Sequence, residues 1–265
     1  MSEIMSNAPV CYALAQAHFN PVAAMAKYVD QVQDRLRREG YPLFEPQQIT
    51  HLIVSGTGPD QAEPKIAHTL SWLITRSDRT AGFILGPSAI TFHTTHYKTR
   101  EQFIPELLRG LKAVHEVVAL DHVSRLGLRY LDAVLPHPHE TVEEYLVDGL
   151  HGIGFNAARK YALSESVFET STGPLLPKGT LVARVYRMNA PLSFPPDMVP
   201  NGLLPMSRFD IKEGKPHAVI DTDHYAEGHM PLDFDRIGEQ LTVLHATITD
   251  VFKATATNHA RTVWA

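Results

Sequence analysis

The sequence predicts an α+β protein in which antiparallel sheet, as one sheet or more, is covered by two or three long amphipathic helices. Three observations carry this expectation. Apolar residues recur at helical spacing over 20–42, 99–119 and 233–265. Runs that alternate apolar and polar residues, as half-buried strands do, lie between those stretches. The links among the early runs are too short for parallel crossovers, so their strands pair antiparallel. The 265 residues are read as a single domain, 1–265, and the element order also suits two similar halves, 1–135 and 136–265.

The elements follow in chain order. Residues 9–20 alternate weakly and open with a strand. A helix over 20–42 is expected to take Asn20 as N-cap, Pro21 in its first turn and Gly40 at its end, with Val22, Met25, Val29, Val32 and Leu36 as its apolar stripe. Strands over 47–56 and 68–78 flank a polar loop at 57–64 that contains two prolines, and two more strands over 79–97 surround the turn Gly86-Pro87-Ser88. In the second helix, 99–119, Thr99 and Gln102 have capping-box spacing and Pro105 should kink the helix or delay its start. A strand over 123–134 follows, then a Pro/His-rich turn and short helix at 136–154. Strands over 160–172, 179–188 and 216–227 come next, with an extended, five-proline excursion at 190–205 between the last two. A final helix over 233–265 is capped by Asp233 or Asp235 and anchored by Trp264.

Composition narrows the class of function. A net charge of −5 gives no basic stripe of the kind that general nucleic-acid binding uses. The single cysteine, Cys11, excludes an internal disulfide framework and a cysteine-built zinc site, and is read as a small buried hydrophobe. The start lacks the charged region and apolar run of a signal peptide, and no run of about 18 apolar residues exists to span a bilayer, so a cytoplasmic protein without a membrane partner is expected.

The strand over 123–134 poses the main question about a site. Strict alternation puts Val123, Arg125, Gly127, Arg129, Leu131 and Ala133 on one face, and Ser124, Leu126, Leu128, Tyr130, Asp132 and Val134 on the other. Arg125 and Arg129 would lie about 13 Å apart along the strand with Gly127 opening space between them. They suit an anion cradle, in which guanidinium forks meet phosphate or carboxylate and Asp221, Asp223 or His224 serves as acid or base. Internal ion pairs with Glu165 and Glu169, or with Asp221 and Asp223, on neighbouring strands are the favoured reading, since buried arginines are usually paired.

The 15 histidines make chance clusters common. His93 with His96, His137 with His139 and Glu140, and Asp221, Asp223, His224 with His229 are the groupings, but none has an established metal-ligand spacing, so no metal and no cofactor are expected. His245, beside the apolar stripe of the last helix, is read as a boundary or satisfied core residue. Neither a nucleophile elbow nor a phosphate-binding or dinucleotide-binding glycine loop is present.

The stretches "APVCYALAQAHFNP", "TAGFILGPSAITFHTTHY", "RLGLRYLDAV" and "LTVLHATITDVFKATAT", with Trp264 after them, resemble a sporadically distributed, uncharacterised family of bacterial proteins of about this length. The resemblance runs nearly end to end and implies a bacterial cytoplasmic protein, with no assigned activity and no site residues to carry over. The leading expectation is a non-catalytic binding or accessory protein that contacts another protein or nucleic acid through its proline-rich loops, 57–64 and 190–205. A homo-oligomer is a further expectation. The alternative is an enzyme acting on an anionic, phosphorylated small molecule through Arg125 and Arg129.

Overall fold

The computed structural model describes residues 5–54, 64–157, 159–173, 175–195, 197–198 and 200–265, with side chains described outside 49–69. Nine strands form one continuous antiparallel sheet: β1 (Val10–Phe19), β2 (Leu43–Val54), β3 (Pro64–Thr75), β4 (Ala81–Leu85), β5 (Ala89–Thr94), β6 (His122–Val134), β7 (Tyr161–Ser171), β8 (Lys178–Ala190) and β9 (Lys215–Pro231). Their order across the sheet is β2-β3-β4-β5-β1-β6-β9-β8-β7. Three helices pack against one face: α1 (Met25–Arg38), α2 (Arg100–Val118) and α4 (Phe234–Thr255). Short helices α3 (Val142–Tyr145) and α5 (Asn258–Trp264) complete the described elements apart from single 3₁₀ turns.

This arrangement corrects the expected fold class. The protein is mostly sheet, and it is not an α+β sheet covered by two or three long helices. The strands are longer and more continuous than the sequence suggests, with β9 alone running 17 residues. The helices lie mainly over the strands from β3 to β9, and Leu181 of β8 reaches into the same core. The final helix also ends early. Thr255 is followed by a β-bridge from Ala256 to Leu146, and Thr257 restarts the chain as α5 by accepting from the Ala260 N–H. Trp264 then packs with Tyr145 and Phe252, as an anchor should. The loop expected at 57–64 lies outside the described residues except for Pro64, which opens β3.

Local signals explain where the helices sit. In α1, Met25, Val29, Val32 and Leu36 are buried, Arg35, Arg37 and Arg38 oppose the C-terminal dipole, and Gly40 takes φ +97° just past the end. The helix begins at Met25, however, and Asn20 does not cap it. The Asn20 Oδ1 instead accepts from the backbone N–H of Asp121 and of His122, which ties this turn to the start of β6. Helix α2 starts at Arg100 and runs through Pro105, burying Phe103, Leu107, Leu111 and Val114. Thr99 makes no capping bond, and the capping box belongs to Thr141 and Glu144 at α3. Asp233 caps α4 through the Arg236 N–H.

The central strands carry two unlike faces. Ala13, Ala15 and Ala17 of β1, with Leu126, Leu128 and Tyr130 of β6, join the main core under the helices. The opposite face carries Leu14 beside Arg129, Gln16 beside Gly127 and His18 beside Arg125. Alternation along β6 breaks at one point. Arg125 pairs with Glu227, yet Val123 pairs with Met230, and both Val123 and Met230 are fully buried in the main core. Between these pairs β9 has two residues, Gly228 and His229, opposite Ser124, whereas against β1 it is β6 that carries the extra residue, since His18 pairs with Arg125 and Phe19 with Val123. This bulge at Ser124 turns Val123 to the helix side, against the strict alternation expected from sequence.

Candidate functional site

The candidate site is the open face where β1, β6, β9 and β8 meet, and Arg129 is its centre. Its Nε donates to Asp221 Oδ1 and its Nη2 to Asp221 Oδ2, each at 2.7 Å. On the other edge of the guanidinium, Nη1 donates to Asp197 Oδ2 at 2.5 Å and Nη2 to Asp197 Oδ1 at 3.2 Å. The group is thus held by two carboxylates, both in fork geometry, and four of its five N–H donors are used. These bonds hold the guanidinium charged against a burial that opposes charge. The bonds from Arg129 in turn hold the Asp197 carboxyl below its ordinary range.

Arg184 on β8 extends the network. Its Nε donates to Glu165 Oε2 at 2.5 Å, and its Nη1 lies 3.6 Å from Asp221 Oδ2. Arg125 is satisfied differently. Its Nη1 donates to Gln16 Oε1 at 2.9 Å, its Nε lies 3.3 Å from Glu227, and its guanidinium sits 4.3 Å over the Tyr225 ring. Gly127 makes this fold-back possible, because a Cβ there would stand 3.2 Å from Arg125 Nη1 and 3.3 Å from Tyr225 Cβ. The gap between the two arginines is filled by one of them.

The five residues singled out from sequence are therefore not one site. Arg125, Arg129, Asp221 and Asp223 share the open face, where burial pushes the Asp223 carboxyl up against the pull of Arg129 and Arg125. His224 is on the helix side. Its Nδ1 lies 2.9 Å from the Leu244 carbonyl oxygen and its Nε2 2.7 Å from Thr170 Oγ1, and burial keeps it neutral by lowering its pKa. It cannot serve as acid or base to anything bound at Arg129. Sequence reasoning missed Asp197, Arg184, Gln16, Glu227 and Tyr225. The last four were discoverable in principle as cross-strand neighbours, whereas Asp197 lies in the proline-rich excursion and gives no periodic signal.

That excursion does not stand out as a free recognition loop. Met198 and Leu203 are buried in a core on the open face with Tyr12, Leu131 and Val219. Arg79 donates to the Gly202 carbonyl oxygen at 3.2 Å and Thr95 to that of Leu204 at 2.5 Å, so the segment is strapped across β1 and β6. Elsewhere, a cleft of about 650 Å³ between α1 and α2 is lined by Arg35, Arg38, Arg109 and Lys112. Glu116 and Glu39 already pair with Arg35 and Arg109 there.

The helix side of β6 holds a smaller polar group. Tyr97 Oη lies 3.2 Å from His245 Nε2, and the rings of Tyr97 and Tyr130 meet edge to face at 5.2 Å. Burial lowers the His245 pKa to about 4, as befits a satisfied core histidine. Asp132 lies on the same side of β6, and burial together with the charge of Asp221 pushes its carboxyl up to about 7. Cys11 is buried in β1, where burial raises its thiol pKa and its Sγ reaches the Leu131 carbonyl oxygen at 3.3 Å.

The outermost strand contrasts with all of these. β7 is exposed along nearly its whole length, and Tyr161, Leu163, Val167 and Phe168 remain 56%, 46%, 61% and 49% accessible. No described helix is long and apolar enough to cross a membrane. No family model and no curated protein matches the chain, so its functional reading rests on this geometry.

Proposed function

We propose that this is a non-catalytic, cytoplasmic binding protein that engages a partner protein by adding one of the partner's strands to β7. The exposure of β7 is the observation that carries the reading. An edge strand presents unpaired backbone donors and acceptors, and folded chains usually blunt such an edge with proline, lysine or short length. β7 has 11 residues and contains neither proline nor lysine. Its two charged side chains, Glu165 and Glu169, are engaged by Arg184 and Lys178 of its own neighbour β8. The opposite edge strand, β2, carries Pro46.

The partner chemistry follows. An extended segment pairs with the β7 backbone, and apolar side chains at alternate positions cover Leu163 and Val167 on one face or Phe168 on the other. Nucleic acid is the poorer fit, since the chain carries a net charge of −5 and Arg125, Arg129 and Arg184 all end on carboxylates. The reading as an enzyme for an anionic small molecule needs those same guanidiniums to face a ligand, and it draws no support from groups that are already bonded.

The test places a photoreactive phenylalanine analogue at position 163 of the full chain, with position 213 as an exposed control, in cells that make the protein. The expected result is a covalent adduct to one other protein from position 163, lost when Val167→Asp is added. An adduct joining two copies of this chain, an adduct to nucleic acid, or none above the control would overturn the reading.

A further inference from the structure

We propose a divalent-metal site at the bulged end of β6 and β9, built from His122, His229 and Asp121, with zinc as the class of ion it takes. The bulge at Ser124 creates it. Val123 and Met230 turn together into the main core, so their strand neighbours His122 and His229 emerge together on the open face. The two imidazole rings stack with centroids 4.3 Å apart and planes 36° from parallel. Asp121 Oδ2 lies 2.9 Å from His122 Nδ1. One ligand atom from each of the three residues falls within 4.8 Å of the others.

The donor set is two imidazoles and one carboxylate, which suits zinc and its borderline neighbours better than calcium or magnesium. Zinc bonds of about 2.0–2.1 Å to nitrogen and oxygen bring tetrahedral ligand atoms to about 3.3 Å from one another. Asp121 and His229 are exposed side chains and can close that gap by rotation, while His122 is three-quarters buried and sets the position. The backbone beneath is already fixed, because Asn20 Oδ1 accepts from the N–H of both Asp121 and His122. Asp121 either ligates directly or holds the His122 ring by its Nδ1 edge and leaves Nε2 for the metal, the arrangement common around zinc-bound histidines. Two or three protein ligands leave at least one coordination position open, so the ion binds reversibly and clasps β6 to β9 where their ladder is irregular. Nothing in the sequence spacing announces this site, since its two histidines come from opposite halves of the chain.

The test titrates chelator-treated full-length protein with zinc by calorimetry. One saturable site is expected, weakened at least about tenfold by His122→Ala and by His229→Ala, and less by Asp121→Asn. A second measurement leaves the wild-type chain intact: zinc should protect His122 and His229 from acylation by diethyl pyrocarbonate while the exposed His139 continues to react. Absence of saturable binding, unchanged affinity in the His122→Ala/His229→Ala double variant, or equal protection of His139 would overturn the proposal.

Discussion

Asp221 and Asp132 are both buried carboxylates close to the middle of the same sheet, one on each face, and their surroundings are opposite. Asp221 is fully buried and lies in the fork of Arg129, with Arg184 beside it. Asp132 is 5% exposed, and the influences on it are burial and the negative charge of Asp221. Burial of equal depth therefore produces a structural ion pair on one face and a carboxyl poised to hold a proton on the other. Partner geometry decides which, because an isolated buried charge costs far more than a paired one.

The largest expected effect breaks the paired side. Asp221→Ala leaves Arg129 with only the exposed Asp197, and should cost about 3–5 kcal/mol of stability by urea denaturation. Replacing the pair together, as Arg129→Met with Asp221→Leu, should recover most of that loss. If the double variant is as unstable as the single, packing rather than charge governs this position.

The unpaired side gives the next effect, and it has a sign. Asp132 is held above its ordinary value of 3.8, at about 7, so between those values the folded chain keeps a proton that the unfolded chain releases. Its contribution to stability is full below pH 3.8 and is lost as pH rises through 7. Asp132→Asn should then stabilise the protein by about 1–3 kcal/mol at pH 8 and not at pH 4. An equal gain at both values would mean that the carboxyl is not the source.

Smaller effects sharpen the contrast between buried and exposed partners of one arginine. Asp197, whose side chain is 63% exposed, should cost at most about 1 kcal/mol as Asp197→Ala, with less lost in 1 M salt. Arg125→Ala should cost about 0.5–1 kcal/mol, since its one charged partner, Glu227, is 62% exposed and its other contacts, Gln16 and Tyr225, are neutral. A thermal-melting series over the four single variants tests the ranking directly.

Much of this was legible in sequence at the scale of single elements. The stripes of α1 and α2 gave their approximate positions, and the alternation from Arg125 to Val134 correctly set Leu126, Leu128 and Tyr130 on the face opposite Arg125 and Arg129. The pairing of Arg129 with Asp221 was one of the two alternatives the pattern left open. The balance of sheet over helix was not legible, because strand continuity depends on ladder bonds between distant segments rather than on local periodicity. Asn20 shows how a local cap signal can be redirected: its side chain satisfies β6 and not the helix that follows it. His224 was misplaced for a simpler reason, since adjacency in "DTDHY" means opposite faces in a strand. Asp197 and the His122–His229 pair depend on a non-repetitive strap and a bulge, neither of which has a period to read.

The bulge at Ser124 has one more consequence, for chain length. It acts as a half-period phase shift between two stretches whose side-chain order is otherwise regular. Deleting that single residue would leave every neighbouring amino acid unchanged, yet it would swap the destinations of His122 and Val123 relative to the rest of β6. A polar ring would be driven under the helices and an aliphatic side chain expelled to water. At this point in the chain, the number of residues matters more to the fold than what the extra residue is.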